Sequence, residues 1–109
     1  MAFDESLAAR IRDALSRKKG VEEKKMFGGI CFLLDGNMFV GVWRKFLIAR
    51  LGSDQGDEAL LEPHVGKMDI TGKPMKGWIM VEPNGVEDDV QLAGWIERAT
   101  RFVKTLPAK

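Results

Sequence analysis

Residues 26–43 read Met26-Phe27-Gly28-Gly29-Ile30-Cys31-Phe32-Leu33-Leu34-Asp35-Gly36-Asn37-Met38-Phe39-Val40-Gly41-Val42-Trp43. Two apolar runs, Ile30 to Leu34 and Met38 to Trp43, are punctuated by Gly28-Gly29 and by Asp35-Gly36-Asn37. Short apolar runs separated by such breakers are the signature of β-hairpins, because the turns need positive φ that Gly, Asn and Asp tolerate. A two-residue loop at either Asp35-Gly36 or Gly36-Asn37 puts Ile30, Phe32, Leu34, Phe39, Gly41 and Trp43 on one face. Cys31, Leu33, Met38, Val40 and Val42 then share the other. Both faces are apolar, so cover is expected on both sides of the middle strands.

Outward from this hairpin the chain supplies further strands and helices. On the N-terminal side, Leu7, Ala8, Ile11, Ala14 and Leu15 keep one stripe of a helix over residues 4–19, with Asp4 as N-cap and Gly20 at the C′ position. Val21 to Phe27 reads as a first strand, charged in its first half and so suited to a sheet edge. On the C-terminal side, Phe46 to Leu51 reads as a fourth strand. Arg44-Lys45 is a poor turn sequence, which leaves open a single bent strand instead of two. Ser53 to Glu62 is a short helix capped by Ser53 or Asp54, weakened by Gly56 and stopped by Pro63.

Lys67 to Thr71 and Gly77 to Glu82 read as strands around a Gly72-Lys73-Pro74 turn. In the later one, Trp78 and Met80 oppose Ile79 and Val81 across the strand. After the Pro83-Asn84-Gly85 breaker comes the strongest helix. Asp88 and Gln91 form a capping-box pair, and Leu92, Trp95, Ile96, Ala99, Phe102, Val103 and Leu106 hold one face.

The composition bounds what the protein can be. The 109 residues fit one domain, 45% hydrophobic and 30% charged, and are enough to bury a core unaided. Cys31 stands alone, so an intrachain disulfide is ruled out and a reducing, cytoplasmic setting is expected. Asp4 and Glu5 interrupt the start where a signal peptide would be apolar. The apolar runs are too short to span a bilayer, so no membrane role is expected. Net charge is +1, with +4 in residues 1–50 and −3 in residues 51–109, which gives no global field for nucleic acid.

The candidate chemistry is thin. Gly28-Gly29 leads into a strand, whereas a phosphate loop opens a helix, so turn geometry is the better account. Cys31, mid-strand between Ile30 and Phe32, is expected to be a core thiol with a raised pKa. His64 is the sole histidine, which excludes histidine pairs for zinc. Asp54, Asp57, Glu58 and Glu62 lack a calcium-loop pattern, and Glu87, Asp88 and Asp89 sit where a helix start favours negative charge. No catalytic residue, metal site or cofactor is assigned. Arg17, Lys18, Lys19, Lys24 and Lys25 are the densest basic cluster and the candidate nucleic-acid patch. Trp43, Trp78 and Trp95 are core residues, or interface anchors if a sheet face is left open.

Glu23-Lys24-Lys25-Met26-Phe27-Gly28-Gly29 with its Asp-Gly hairpin resembles the N-terminal domain of the TfoX/Sxy family. Gly72-Lys73-Pro74-Met75-Lys76-Gly77-Trp78 and the closing Ala99 to Lys109 stretch resemble small stand-alone members, which are without the C-terminal domain of the name-giving proteins. The resemblance implies an α+β, two-layer fold. Its antiparallel sheet would have five or six strands, with an N-terminal helix, a short middle helix and a long C-terminal helix.

The name-giving members regulate bacterial competence genes together with the cyclic-AMP receptor protein at promoters. The family offers no catalytic residues to carry over. Met26, Phe27, Gly28, Gly29, Arg50, Gly72, Pro74, Met75, Gly77 and Trp78 are signature positions and candidate contact residues. The expectation is therefore a non-enzymatic regulatory or protein-interaction domain, with a protein partner or a homodimer through the sheet. The alternatives are a nucleic-acid-associated factor using the basic cluster, and a small-ligand binder or enzyme with a pocket near His64 and Arg50.

Overall fold

The computed structural model describes residues 3–26, 28–69 and 75–108. Phe27 and the expected Gly72-Lys73-Pro74 turn, with Ile70 and Thr71 before it, lie outside the described residues. The elements run α1 (Glu5–Ala14), β1 (Val21–Met26), β2 (Gly29–Leu34), β3 (Asn37–Trp43), β4 (Phe46–Arg50), α2 (Ser53–Ala59), β5 (Val65–Lys67), β6 (Trp78–Val81) and α3 (Asp89–Val103). The six strands form one antiparallel sheet in the order β1-β2-β3-β4-β6-β5. The fold is α+β, as expected.

The first hairpin is closed by Asp35 and Gly36, both at positive φ (52° and 86°), between the paired Leu34 and Asn37. Of the two loops left open by the sequence, the Asp-Gly one forms. The Arg44-Lys45 turn also forms, with Arg44 at φ 54° and Trp43 opposite Phe46, so β3 and β4 are separate strands. Local cation–ring contacts and one tertiary hydrogen bond accompany the weak turn chemistry. The Arg44 guanidinium lies 4.6 Å from the Trp43 ring centroid, the Lys45 ammonium 5.8 Å from that of Phe46, and the Arg44 carbonyl accepts from the Asp4 N–H at 2.6 Å.

Register settles the two faces, and the simple alternation fails at one point. Phe32 pairs with Val40 but Leu33 pairs with Met38, so Phe39 is an extra residue in β3. Such a bulge turns two successive side chains toward one side. Phe39 and Val40 are both fully buried, and Val42 follows on the same side opposite Ile30 and Leu47. Gly41 and Trp43 are thereby moved to the face of Cys31, Leu33 and Met38. Ile30, Phe32, Leu34 and Phe39 share a face as expected; the expected positions of Gly41, Trp43, Val40 and Val42 are exchanged.

The inner face packs against α1 and α3. Leu7, Ala8, Ile11 and Leu15 meet Leu92, Trp95, Ile96, Ala99 and Val103 in one core with the inner strand residues. Ala14, expected in the α1 stripe, is exposed. α1 ends at Ala14 rather than near Lys19, because nothing apolar follows Leu15 to bury and short helices depend on such packing. Asp4 caps it, accepting from the Leu7 N–H at 3.1 Å. The α3 capping box is complete: Asp88 accepts from the Gln91 N–H and the Gln91 amide oxygen accepts from the Asp88 N–H.

α2 departs from expectation. Gly52 is its N-cap, at φ 85°, and neither Ser53 nor Asp54 makes a capping bond. Gly52 is required there because a Cβ would stand 2.6 Å from the Phe102 ring. β5 starts two residues earlier than the expected Lys67. Among the described residues, no helix is long and apolar enough to cross a membrane.

Candidate functional site

The face opposite the helices carries the unusual chemistry. Reading across the register, Lys24, Cys31, Gly41, Ile48 and Met80 form one row, Glu22, Leu33 and Met38 a second, and Arg50 with Trp78 a third. Trp43 and Phe46 pair at the turn end, their rings 6.3 Å apart and 20° from parallel. Ile48, Leu33 and Met68 are buried, whereas Cys31, Met38, Trp43, Phe46, Trp78 and Met80 are half-buried. Among the described residues no helix lies in the sheet's outer layer.

Glycine shapes the middle of this face. A Cβ on Gly41 would stand 2.7 Å from the Ile30 carbonyl oxygen and 3.6 Å from Cys31 Sγ. Gly41 also lines a cavity of about 20 Å³ ringed by Met26, Cys31, Met38, Trp43, Met68 and Trp78. Methionine and tryptophan thus surround a hole too small for a metabolite but matched to the tip of an apolar side chain. Burial pushes the Cys31 thiol above its ordinary range, as expected, but the residue is half-buried on the outer face and is not the core thiol the sequence suggests.

The signature positions are in part brought together. Arg50 pairs with Trp78, and its guanidinium lies 5.5 Å from the Trp78 ring centroid and 5.4 Å from that of Phe102. Gly77, at φ 88°, approaches Gly52 so closely that its Cβ would be 3.1 Å from the Gly52 carbonyl carbon. Its carbonyl accepts from the Leu51 and Gly52 N–H groups at 2.8 and 3.2 Å. Met75, Gly77 and Trp78 line a cleft of about 270 Å³ with Asp57, Lys67 and Lys76. Gly28 takes φ 76°, and Gly29 is compressed against β3, where a Cβ would strike the Val42 carbonyl oxygen. These two glycines serve turn and packing geometry. Met26 belongs to the outer face; Phe27, Gly72 and Pro74 lie outside the described residues.

The basic cluster does not converge. Lys24 faces outward while Lys25, one residue on, falls on the helix side of the sheet edge. Glu23, just before them, pairs with Arg12, whose guanidinium gains affinity for its proton from that hydrogen bond. Arg17, Lys18 and Lys19 belong to the turn that follows α1.

His64 and Arg50 lie at opposite ends of β6, so they share no pocket. His64 Nδ1 is 3.8 Å from Glu82 Oε2, and both side chains are exposed. The groove beside it, about 440 Å³, is closed on one wall by Arg98, which bridges to Glu62 at 3.0 Å and stacks 4.5 Å from the Trp95 ring. Three strands separate Cys31 from this histidine. Asp54, Asp57 and Glu58 are exposed around α2, and Glu87 and Asp88 precede α3. Among the described residues no three of His, Cys, Asp and Glu form a metal-sized group.

The residues missed in the sequence are Met38, Arg44, Lys45, Met68 and Met80, whereas Trp43 was already a candidate anchor for an open sheet face. Their signal was present: the helix-covered core contains no methionine among the described residues, and Met26, Met38, Met68 and Met80 all gather on or over the outer face.

No curated protein and no solved structure matches the chain. The TfoX N-terminal domain family matches residues 13–103, which span β1 to β6, all of α3 and the end of α1. This chain belongs to the TfoX N-terminal domain family.

Proposed function

We propose that this chain is a non-enzymatic, cytoplasmic protein-interaction domain of regulatory type, and that it engages its partner with the outer face of the sheet. The segregation of methionine carries this reading. The inner core is built from Leu, Ile, Val, Phe and Ala with Trp95, side chains that lock into few rotamers. The outer face uses Met26, Met38 and Met80 with half-buried Trp43, Phe46 and Trp78. Flexible, polarisable thioethers adapt to an incoming surface, and tryptophans anchor interfaces. The family's promoter-level regulation would then reach this domain through a protein contact.

Site-specific photo-crosslinking in the native cell tests it. A benzophenone residue in place of Met38 should give protein adducts, and one in place of the exposed Ala93 of α3 should give few. A Met38 adduct between two copies would assign the surface to a homodimer. Equal yields from the two positions, or none from Met38, would refute the reading.

A further inference from the structure

We infer that the outer sheet face takes an acidic amphipathic segment of its protein partner, apolar anchors entering the methionine ring and carboxylates meeting the surrounding cations. This inference rests on the protein-interaction reading above and names the partner's chemistry. Lys24, Arg44, Lys45 and Arg50 border the face, against two carboxylates, Glu22 in its strand rows and Glu82 in a cleft with Lys45 and Phe46. The described ion pairs are Arg10–Asp89, Arg12–Glu23, His64–Glu82, Arg98–Glu62 and Arg101–Glu97. None uses the four cations of the outer face. Arg10, Arg12, Arg98 and Arg101 are matched internally, whereas the positive charge around the outer face is left for something else.

Aromatic residues hold three of these cations in place. Arg44 lies over Trp43, Lys45 over Phe46 and Arg50 over Trp78. A guanidinium or ammonium stacked in this way keeps its outer donors turned to solvent and loses less freedom on binding a carboxylate. The same stacking decides between partner classes. Single-stranded nucleic acid would need free aromatic faces for its bases, and these rings already carry cations or each other. The ring of Met26, Met38, Met68 and Cys31 presents thioethers and a neutral thiol, weak partners for base edges and good ones for a Leu or Phe. Desolvated apolar anchors would supply affinity, and the rim charges orientation and encounter rate.

The probe is a fluorescein-labelled amphipathic peptide with Leu anchors and Glu elsewhere, read by polarisation against the full chain. The controls are the same peptide with Lys for Glu, and a labelled oligo-dT. The acidic peptide should bind, the basic one should not, and raising salt from about 50 to about 300 mM should weaken binding several-fold. The double reversal Arg44→Glu with Lys45→Glu should cost roughly tenfold or more in affinity. Lys18→Glu with Lys19→Glu, away from the face, should change it little.

If the turn reversal loses the native near-ultraviolet spectrum, Lys24→Glu on the exposed edge strand takes its place, with a weakening of several-fold expected. The inference falls if the acidic peptide does not bind, if the basic one binds equally, if binding ignores salt and charge reversal, or if oligo-dT binds and displaces the peptide. Crosslinks from position 38 that persist beside a negative peptide result would overturn the acidic partner while leaving the interaction reading standing.

Discussion

The two faces of the sheet are both apolar, yet they are built by different rules. The inner face is aliphatic and phenylalanine-rich, fully buried, and matched to α1 and α3. The outer face is methionine- and tryptophan-rich, half-buried, pitted at Gly41 and bordered by cations. Hydrophobicity alone does not separate them. Side-chain stiffness does: the inner residues fit one arrangement closely, whereas the outer ones can repack around a visitor at low cost. The difference teaches that an apolar strand pattern can specify two surfaces, one closed by helices and one left half-buried.

The hardest test of this contrast is a charge on each face. Val42→Asp would place a carboxylate between Ile30 and Leu47 on the inner face and should cost more than about 4 kcal/mol, leaving the chain unfolded or nearly so. Met80→Lys, on the outer row with Ile48, should cost about 1 kcal/mol or less. Urea unfolding followed by circular dichroism reads both. Equal losses would erase the distinction between the faces.

Next in size is Phe32→Ala, which removes a fully buried inner ring and should cost about 3–5 kcal/mol in the same assay. Gly77→Ala combines a φ of 88° with the close approach to Gly52 and should cost about 1–3 kcal/mol. A neutral result there would mean that the corner holding Arg50 against Trp78 can relax. Asn37 is buried on the inner side and its amide donates to the Pro107 carbonyl at 3.0 Å, so Asn37→Ala should cost about 1–2 kcal/mol.

The smallest effect is pH-dependent and belongs to the outer face. Burial raises the Cys31 thiol above its ordinary 9.0, so the unfolded chain gives up that proton first as pH climbs. Stability tied to the neutral thiol is complete below about pH 9 and is lost as pH rises toward the folded value. Cys31→Ala should flatten the alkaline limb of a stability–pH curve and leave its acid limb unchanged. An identical alkaline limb in the variant would show that the outer face does not shield this thiol.

Much of the fold was legible because it depends on local chemistry. Asp35-Gly36 accepts the positive φ of a tight turn, Asp88 with Gln91 satisfies free N–H groups, and the α3 stripe repeats at helical spacing. The end of α1 was less so. Its basic run after Leu15 is compatible with helix, and only the lack of anything to bury there stops it. The site was legible in fragments. Gly77, Trp78 and Arg50 were picked out by family resemblance, but the placing of Arg50 by both Trp78 and Phe102, with Gly77 against Gly52, depends on β4 pairing with β6 and on the position of α3. Arg44 and Lys45 looked like an unsuitable turn; folded, they are stacked cations on the rim.

By itself, the sequence determined the order of elements, a tight turn within Asp35-Gly36-Asn37, the caps of α1 and α3, and the family, since each is written in neighbouring residues. Tertiary structure alone decided which side of β3 is which. Phe39 bulges because Phe32 and Leu33 pair around it, and a bulge is a property of two strands, invisible in one. That single residue sends Val40 and Val42 into the core and turns Gly41 and Trp43 outward, where they form the cavity and its rim. Because side chains alternate with a period of two, one extra residue is enough to move side chains between the helix-covered face and the half-buried one.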